Sequence, residues 1–434
     1  MSHRPRLDLV APPFAGHLFP LLDLARSLRT RGLTGLRVLS THSAGEAVQR
    51  CGLEMVELLG HHEDTVLAIA NPQHRVGSNP FHLLRQFRTN LSLMGQLRDQ
   101  LQGLWTANRP DIVLADFTIP VAGLLAQSLD ITWWTGMPSP CALETGDGPP
   151  SYLGGCLPRS GLLGRVRDAL GWGVIRLFKR GVGVLFAREL RALSIPGVYR
   201  RDGSEMAYSP ECILGFGMRE FEFERSWPAS FHWIGPLTAS PPFPHSPPEI
   251  AKGKRNILLS LGTHLFWARD RAAHLIEQVA SRMPDCVFHF SLGKPGSSER
   301  QMRGNVQVYG YFPYDEYLKC FDAAIIHGGT GITYSCIKAG VPILVWPQDY
   351  DQFDHAARIV VGGLGLRLRP RVDHVVASLR QLLSDASFRE RVQEFQTLAR
   401  GYDAPQAMWE LLASFCLVGH GGTGAVKPVP ELLL

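Results

Sequence analysis

AAIIHGGTGITYSCIKAGVPILVWPQDYDQ, residues 323–352, sets two apolar runs on either side of a glycine cluster. Residues 323–327 read as a buried strand, Gly328, Gly329 and Gly331 as a tight turn, and the segment from about Gly331 as a helix. A second strand is expected at 342–346, followed by Pro347, Gln348, Asp349, Asp351 and Gln352. Strand, turn, helix and strand in this order form the unit of a parallel sheet covered by helices. Glycines at such a turn let backbone N–H groups approach an anion, and the helix N-terminus adds partial positive charge. A diphosphate is the natural guest, with His327 at the strand end as a further donor. The plainer alternative is a glycine-rich turn that only reverses the chain.

The same rhythm extends outward. Strands are expected at 257–261, 287–292 and 306–311, with a helix at 267–282. Ahead of them, prolines at 236, 241, 242, 244, 247 and 248 stop both helix and sheet. The N-terminal part repeats the pattern: strands at 7–11, 36–40, 112–115 and 131–134, and helices at 17–31, near Ser43 and at 121–129. The expected fold class is α/β, two Rossmann-like domains facing each other across a cleft. Their bounds are 1–235 and 254–417, joined by a Pro-rich linker 236–253 and followed by a disordered tail 418–434. Such sheets bind ligands beyond the C-terminal ends of their strands.

Composition narrows the function. The 434 residues are 45% hydrophobic and 19% charged, the balance of a globular protein of two to three domains. A net charge of +5, with no lysine-rich run interleaved with aromatics, disfavours nucleic acid as a partner. The eight cysteines form no C-x-x-C pair or zinc-like cluster. No secretory apolar segment opens the chain, and the apolar stretch 112–143 is broken by Asp116, Asp130 and prolines. The expectation is a cytoplasmic, reduced protein. One stretch stands apart: residues 159–201 hold ten basic residues against Asp168 and Glu189, with Trp172, Ile175, Phe178, Val182, Leu185 and Phe186 at roughly helical spacing. Three readings of it stay open: a solvated helix face, a peripheral contact with a membrane, or a site for an anionic acceptor.

His327, Gly329, Gly331, Thr333, Gly340-Val341-Pro342, Pro347, Asp351 and Gln352 fill a spaced signature. With it, the chain resembles the GT-B nucleotide-sugar glycosyltransferases of the UDP-glycosyltransferase family, which include bacterial natural-product, carotenoid and rhamnolipid enzymes. The resemblance covers most of the chain, since Pro13-Phe14-Ala15-Gly16-His17-Leu18-Phe19-Pro20 matches the family's G-H-x-x-P segment. It implies an inverting transfer of a hexose from a UDP- or dTDP-sugar to a hydroxyl of a small lipophilic acceptor. His17 would be the general base, oriented by Asp116. Ser260, Gly262, Thr263, His327, Gly329, Thr330, Gly331 and Thr333 would hold the donor diphosphate. Tyr311 and Phe312 would take the base, Ser335 the ribose, and Asp351 and Gln352 the sugar. Phe14, Trp133, Trp134 and Met137 would line the acceptor side.

No metal and no cofactor beyond the nucleotide sugar is expected. Asp349-Tyr350-Asp351 has D-x-D spacing, but its place in the signature assigns it to the sugar. Ser335 departs from the family, whose members often carry an acid there for the ribose hydroxyls; a deoxyribose donor therefore stays open beside a ribose one. A GT-B-shaped nucleotide-sugar epimerase and a non-catalytic partner subunit are the rival readings. The expected location is the cytoplasm, with the inner membrane face as the alternative should 159–201 bind lipid.

Overall fold

The computed structural model describes residues 5–72, 79–264 and 266–418, so the expected tail lies outside the described residues from 419 onward. Seven strands form the first sheet: β1 (Leu7–Val10), β2 (Leu36–Ser40), β3 (Glu54–Glu57), β4 (Ile112–Asp116), β5 (Thr132–Met137), β6 (Ile213–Gly215) and β7 (Phe231–Trp233). Their order is β3-β2-β1-β4-β5-β6-β7, and every pairing is parallel. The second sheet contains β8 (Arg255–Ser260), β9 (Cys286–Ser291), β10 (Arg300–Arg303), β11 (Val306–Tyr309), β12 (Ala323–Ile326), β13 (Ile343–Val345) and β14 (Gly365–Arg367). Its order is β10-β11-β9-β8-β12-β13-β14, with only β10 running antiparallel to its neighbour.

Central strands such as β1, β4 and β12 are buried along their whole length, which is why they read as unbroken apolar runs. The strands that periodicity does not reveal are short or lie at the sheet edges. β6, β7 and β14 have three residues each, and all four residues of β10, Arg-Gln-Met-Arg, are exposed. In both sheets the strand order reverses beside the first strand, between β1 and β4 and between β8 and β12. Loops leaving these strands diverge and open a crevice at their C-terminal ends. His17 follows β1, Asp116 ends β4, Gly262 and Thr263 follow β8, and His327 follows β12. Topology alone thus gathers them at two facing crevices.

Two further elements shape that space. The helix Pro80–Ala107 begins with Asn79, whose Oδ1 accepts from the N–H of Phe81 (3.0 Å) and of His82 (3.3 Å), and with a proline in its first turn. It buries Leu93, Leu97, Leu101 and Trp105 against the first sheet. Chain order puts residues 404–418 in the second half, but the helix Ala404–Val418 crosses back. Ala404, Met408, Leu411 and Leu412 pack into the core of the first sheet with Leu21, Leu24 and Leu28 of the helix Ala15–Thr30. The Pro-rich segment is also packed: Phe243 lies 6.0 Å from the ring of Phe19 and 6.0 Å from that of Tyr311.

Candidate active site

A cleft of about 550 Å³ lies where the strand ends of the two sheets face each other. His17 lines it and bonds backward: Nδ1 lies 3.1 Å from each carboxylate oxygen of Asp116. The N–H at Nδ1 therefore donates to the carboxylate, which leaves Nε2 as the basic nitrogen. Asp116 is 1% exposed, and its Oδ1 also accepts from the Thr118 N–H at 2.9 Å. The ring of Phe117 stacks on the imidazole at 5.5 Å. Burial disfavours the imidazolium, but the charges of Asp116 and Asp351 outweigh it, so the pKa of His17 lies above its ordinary value.

On the other side of the cleft, the helix Thr330–Ala339 starts after Gly329 with no side-chain cap. Its first-turn N–H groups thus lack a side-chain acceptor, and Gly329, Thr330 and Gly331 line the cleft there. His327 is held between two glycines. A Cβ on Gly262 would fall 2.8 Å from its Cε1, and one on Gly329 only 2.4 Å from its Nε2. Burial lowers the His327 pKa to about 4 against the opposing pull of Asp351, so the ring is neutral at neutral pH and donates one hydrogen bond. His264 lines the same wall; burial and the nearby His17 and His327 bring its pKa to about 4. Arg269 stands behind the β8 turn, its guanidinium donating to the Gly262 carbonyl at 3.4 Å and lying 4.1 Å from the Phe266 ring. Burial lowers its pKa to about 10, which leaves it cationic at neutral pH.

Of the residues expected from sequence, Phe14, His17, Tyr311, Gly262, Thr263, His327, Gly329, Thr330, Gly331, Ser335, Asp351 and Gln352 all line this cleft. Gln352 does so with its amide oxygen engaged, accepting from the N–H of Gln348 (2.8 Å) and of Asp349 (3.2 Å). Ser335 Oγ donates to the Gly331 carbonyl one turn back at 2.9 Å.

Six expected contacts are placed elsewhere. Ser260 is fully buried, its hydroxyl 2.6 Å from Tyr314 Oη. Thr333 is turned along its own helix and donates to the Gly329 carbonyl at 2.8 Å. Phe312 is fully buried among Tyr309, Tyr314, Tyr317 and Phe321. Trp133 and Trp134 belong to the cores on opposite faces of the first sheet, and Met137 to a third apolar cluster.

The apolar wall of the cleft comes instead from Leu93, Met94 and Leu97 of the helix Pro80–Ala107, with Leu58, Leu59, Val66, Ile69 and Ile119. Sequence reading passed over them, although Asn79-Pro80 followed by leucines at helical spacing signals this helix. Thr238, Ala239 and Ser240 of the Pro-rich segment line the cleft beside Tyr311. Contacts between the halves tie them together across it: Phe14 meets His264 edge to face at 5.4 Å, His264 Nδ1 lies 3.2 Å from Asn71 Oδ1, and Gln86 Nε2 donates to Tyr350 Oη at 3.3 Å.

Residues 273–413 match the family model described as Erythromycin biosynthesis protein CIII-like, C-terminal domain. The chain is 25% identical over 412 residues to a zeaxanthin glucosyltransferase of Pseudescherichia vulneris, covering 90% of this chain and 92% of the relative. Among solved structures, the glycotransferase of kitacinnamycin superposes with a TM-score of 0.73 at 22% identity, over 95% of this chain and 99% of that one. The Streptomyces sp. SF2575 glycosyltransferase SsfS6, solved with thymidine diphosphate, gives a TM-score of 0.64 at 17% identity, over 94% and 99% of the two chains. The structural likeness carries the two-sheet fold, the family model covers most of the second half, and the full-length relative is a glucosyltransferase. The chain is a glycosyltransferase of GT-B fold, similar to members of the UDP-glycosyltransferase family.

Proposed function

We propose that this glycosyltransferase inverts the anomeric centre as it moves a hexose from a UDP- or dTDP-sugar to a hydroxyl of a small lipophilic acceptor. The observation that carries the reading is one cleft holding a His17–Asp116 pair on one side and an uncapped helix N-terminus on the other. The acceptor hydroxyl gives its proton to His17 Nε2 while its oxygen attacks the anomeric carbon, and the bond to the diphosphate oxygen breaks on the opposite face. Charge growing on the departing diphosphate meets the N–H groups at the start of the helix Thr330–Ala339 and one N–H of the neutral His327. Asp351 and Gln352 are the groups for the sugar hydroxyls, and Tyr311 the aromatic for the base.

Donor choice is supported by two facts. Ser335 offers no carboxylate to the ribose, and the SsfS6 relative was solved with thymidine diphosphate. Acceptor choice rests on the apolar wall from the helix Pro80–Ala107 and on the carotenoid named in the zeaxanthin enzyme.

The test is incubation with UDP- and dTDP-hexoses and a panel of lipophilic alcohols and phenols, following nucleotide release and product mass. The anomeric configuration of the product is then read by proton NMR. A β-glycoside from an α-linked donor is expected. An α-glycoside would overturn the inverting scheme, and turnover confined to highly polar acceptors would overturn the lipophilic one.

A further inference from the structure

The helix Gly161–Leu185 holds Arg176, Lys179 and Asp168 toward the protein while it presents a run of large apolar side chains to water. Its buried positions are Gly164, Asp168 and Trp172. Arg176 and Lys179 also point inward, where Arg176 Nε lies 3.2 Å from Glu144 and Lys179 Nζ lies 2.6 Å from Glu144 and 2.5 Å from Glu205. On the far side Leu163 is 74% exposed, Leu170 68%, Leu177 73% and Val184 78%, with Val174 among them at 60%. Steps of seven, four, three and seven residues keep these side chains on one stripe, about 30 Å long at the helical rise per residue. A surface helix ordinarily has the reverse arrangement, and an exposed apolar face of this size marks a contact surface.

Charge selects the occupant. Residues 159–201 carry a net +8, and of their two acids Asp168 is already bonded to Arg167 at 2.6 Å. Arg165, Arg180 and Arg188 are exposed and pair with no carboxylate among the described residues. A second copy laid on the stripe would set Arg165, Arg180 and Arg188 against their own counterparts. An anionic bilayer supplies an apolar layer and negative charge together, which is what a basic amphipathic helix lying in the interface requires. Among the described residues, no helix is long and apolar enough to cross a membrane. The helix also packs beside the rim of the cleft. Tyr152 lines the cleft and is 46% exposed, while the next residue, Leu153, packs 3.1 Å from where a Cβ on Gly171 of this helix would sit.

We propose that the helix Gly161–Leu185 docks the protein on an anionic lipid surface, with Tyr152 at the rim of the cleft beside the bilayer. A lipophilic acceptor would then pass from the lipid into the cleft, a step that rests on the acceptor reading above.

Co-sedimentation of the full chain with phosphatidylcholine vesicles, with and without phosphatidylglycerol, tests the docking. Binding is expected only with the anionic lipid and is expected to fall with added salt. Arg165→Gln, Arg180→Gln and Arg188→Gln together should lower partition about a hundredfold, at about fivefold each. Leu170→Asp with Leu177→Asp should abolish binding without changing the thermal unfolding curve. A parent protein that stays in the supernatant at low salt overturns the proposal. So does binding indifferent to lipid charge, and so does a concentration-dependent dimer that the leucine variant dissolves. Transfer to an acceptor dissolved in the vesicles should fall in the leucine variant, while transfer to a short, water-soluble acceptor is kept. If vesicle binding behaves as expected but vesicle-borne transfer ignores the leucine variant, the lipophilic-acceptor reading fails and the docking stands.

Discussion

A general base works only when neutral, and Asp116 acts on His17 in two opposing ways. Its carboxylate fixes the tautomer through Nδ1, and its charge holds the imidazole pKa above the ordinary value. The base form gains population as pH rises through that pKa, so kcat/KM should climb with a midpoint above about 6.5. In Asp116→Asn the negative charge is gone. The midpoint should therefore move to lower pH while the plateau falls, because the ring loses its orienting acceptor. His17→Ala should remove this limb and lower turnover about 10²–10⁴-fold. A pH–rate series on the three proteins checks this, and an unmoved midpoint in Asp116→Asn would break the pairing. The neighbours Tyr311 and Phe312 are both nearly inaccessible, but of the two it is Tyr311 that lines the cleft. Phe312→Ala empties a filled core and should cost about 3–5 kcal/mol in a denaturant titration, with nucleotide affinity of the folded protein unchanged. Tyr311→Ala should instead weaken nucleotide binding in calorimetry. Asp116 was legible in the sequence because it ends a strand, and His17 because the resemblance to the family's G-H-x-x-P segment marks it at the start of the first helix. Trp133 and Trp134 were not, because neighbours on β5 point to opposite faces of a sheet that helices cover on both sides.

The helix Thr330–Ala339 and its approach turn act as one device. Gly329 of this turn and Gly262 after β8 do more than leave room for phosphate, since a Cβ at either would collide with the His327 ring. Gly329→Ala places a methyl within van der Waals distance of that ring and must displace it. UDP affinity should fall at least tenfold by calorimetry with the fold intact, and an unchanged affinity would remove the imidazole from the diphosphate site. One turn further, Ser335 is bonded into the helix and offers the ribose no carboxylate. UDP and dTDP should therefore bind within about tenfold of each other, or ~1.4 kcal/mol; a hundredfold preference for UDP would show another acid acting on the ribose. This element could be read from sequence because glycine, strand and helix signals coincide in one short segment. The helix Pro80–Ala107 shows the opposite case. Its cap and leucine spacing predict a helix, but nothing local tells which sheet it covers or that Leu93 and Leu97 face a cleft.

Across the whole molecule the halves meet through a buried charge cluster. Glu222 accepts from Arg358 Nε at 2.8 Å and lies 3.2 Å from Arg225, all three side chains nearly inaccessible. Burial pushes the Glu222 carboxyl up, but the two guanidinium groups outweigh it and hold the pKa below the ordinary value. Arg358→Met should destabilise the protein by about 3–5 kcal/mol, since it removes a partner from a buried charge; a loss within error of zero in equilibrium unfolding would show that water replaces the guanidinium. The two-sheet plan was legible in the repeating strand–helix rhythm, whereas this cluster joins residues more than a hundred positions apart, a pairing no local pattern encodes. The return of the helix Ala404–Val418 to the first sheet was hidden for the same reason, and it has a mechanical consequence. The polypeptide passes between the halves twice, once after β7 and once before that helix, and the two passages touch. A Cβ on Gly235 would lie 2.5 Å from that of Tyr402, and Tyr402 Oη accepts from the Arg219 N–H at 3.1 Å. Two covalent tethers meeting at one spot form a pivot rather than a leash. A rotation of one half against the other about that point would be smallest at Gly235 and would grow with distance from it.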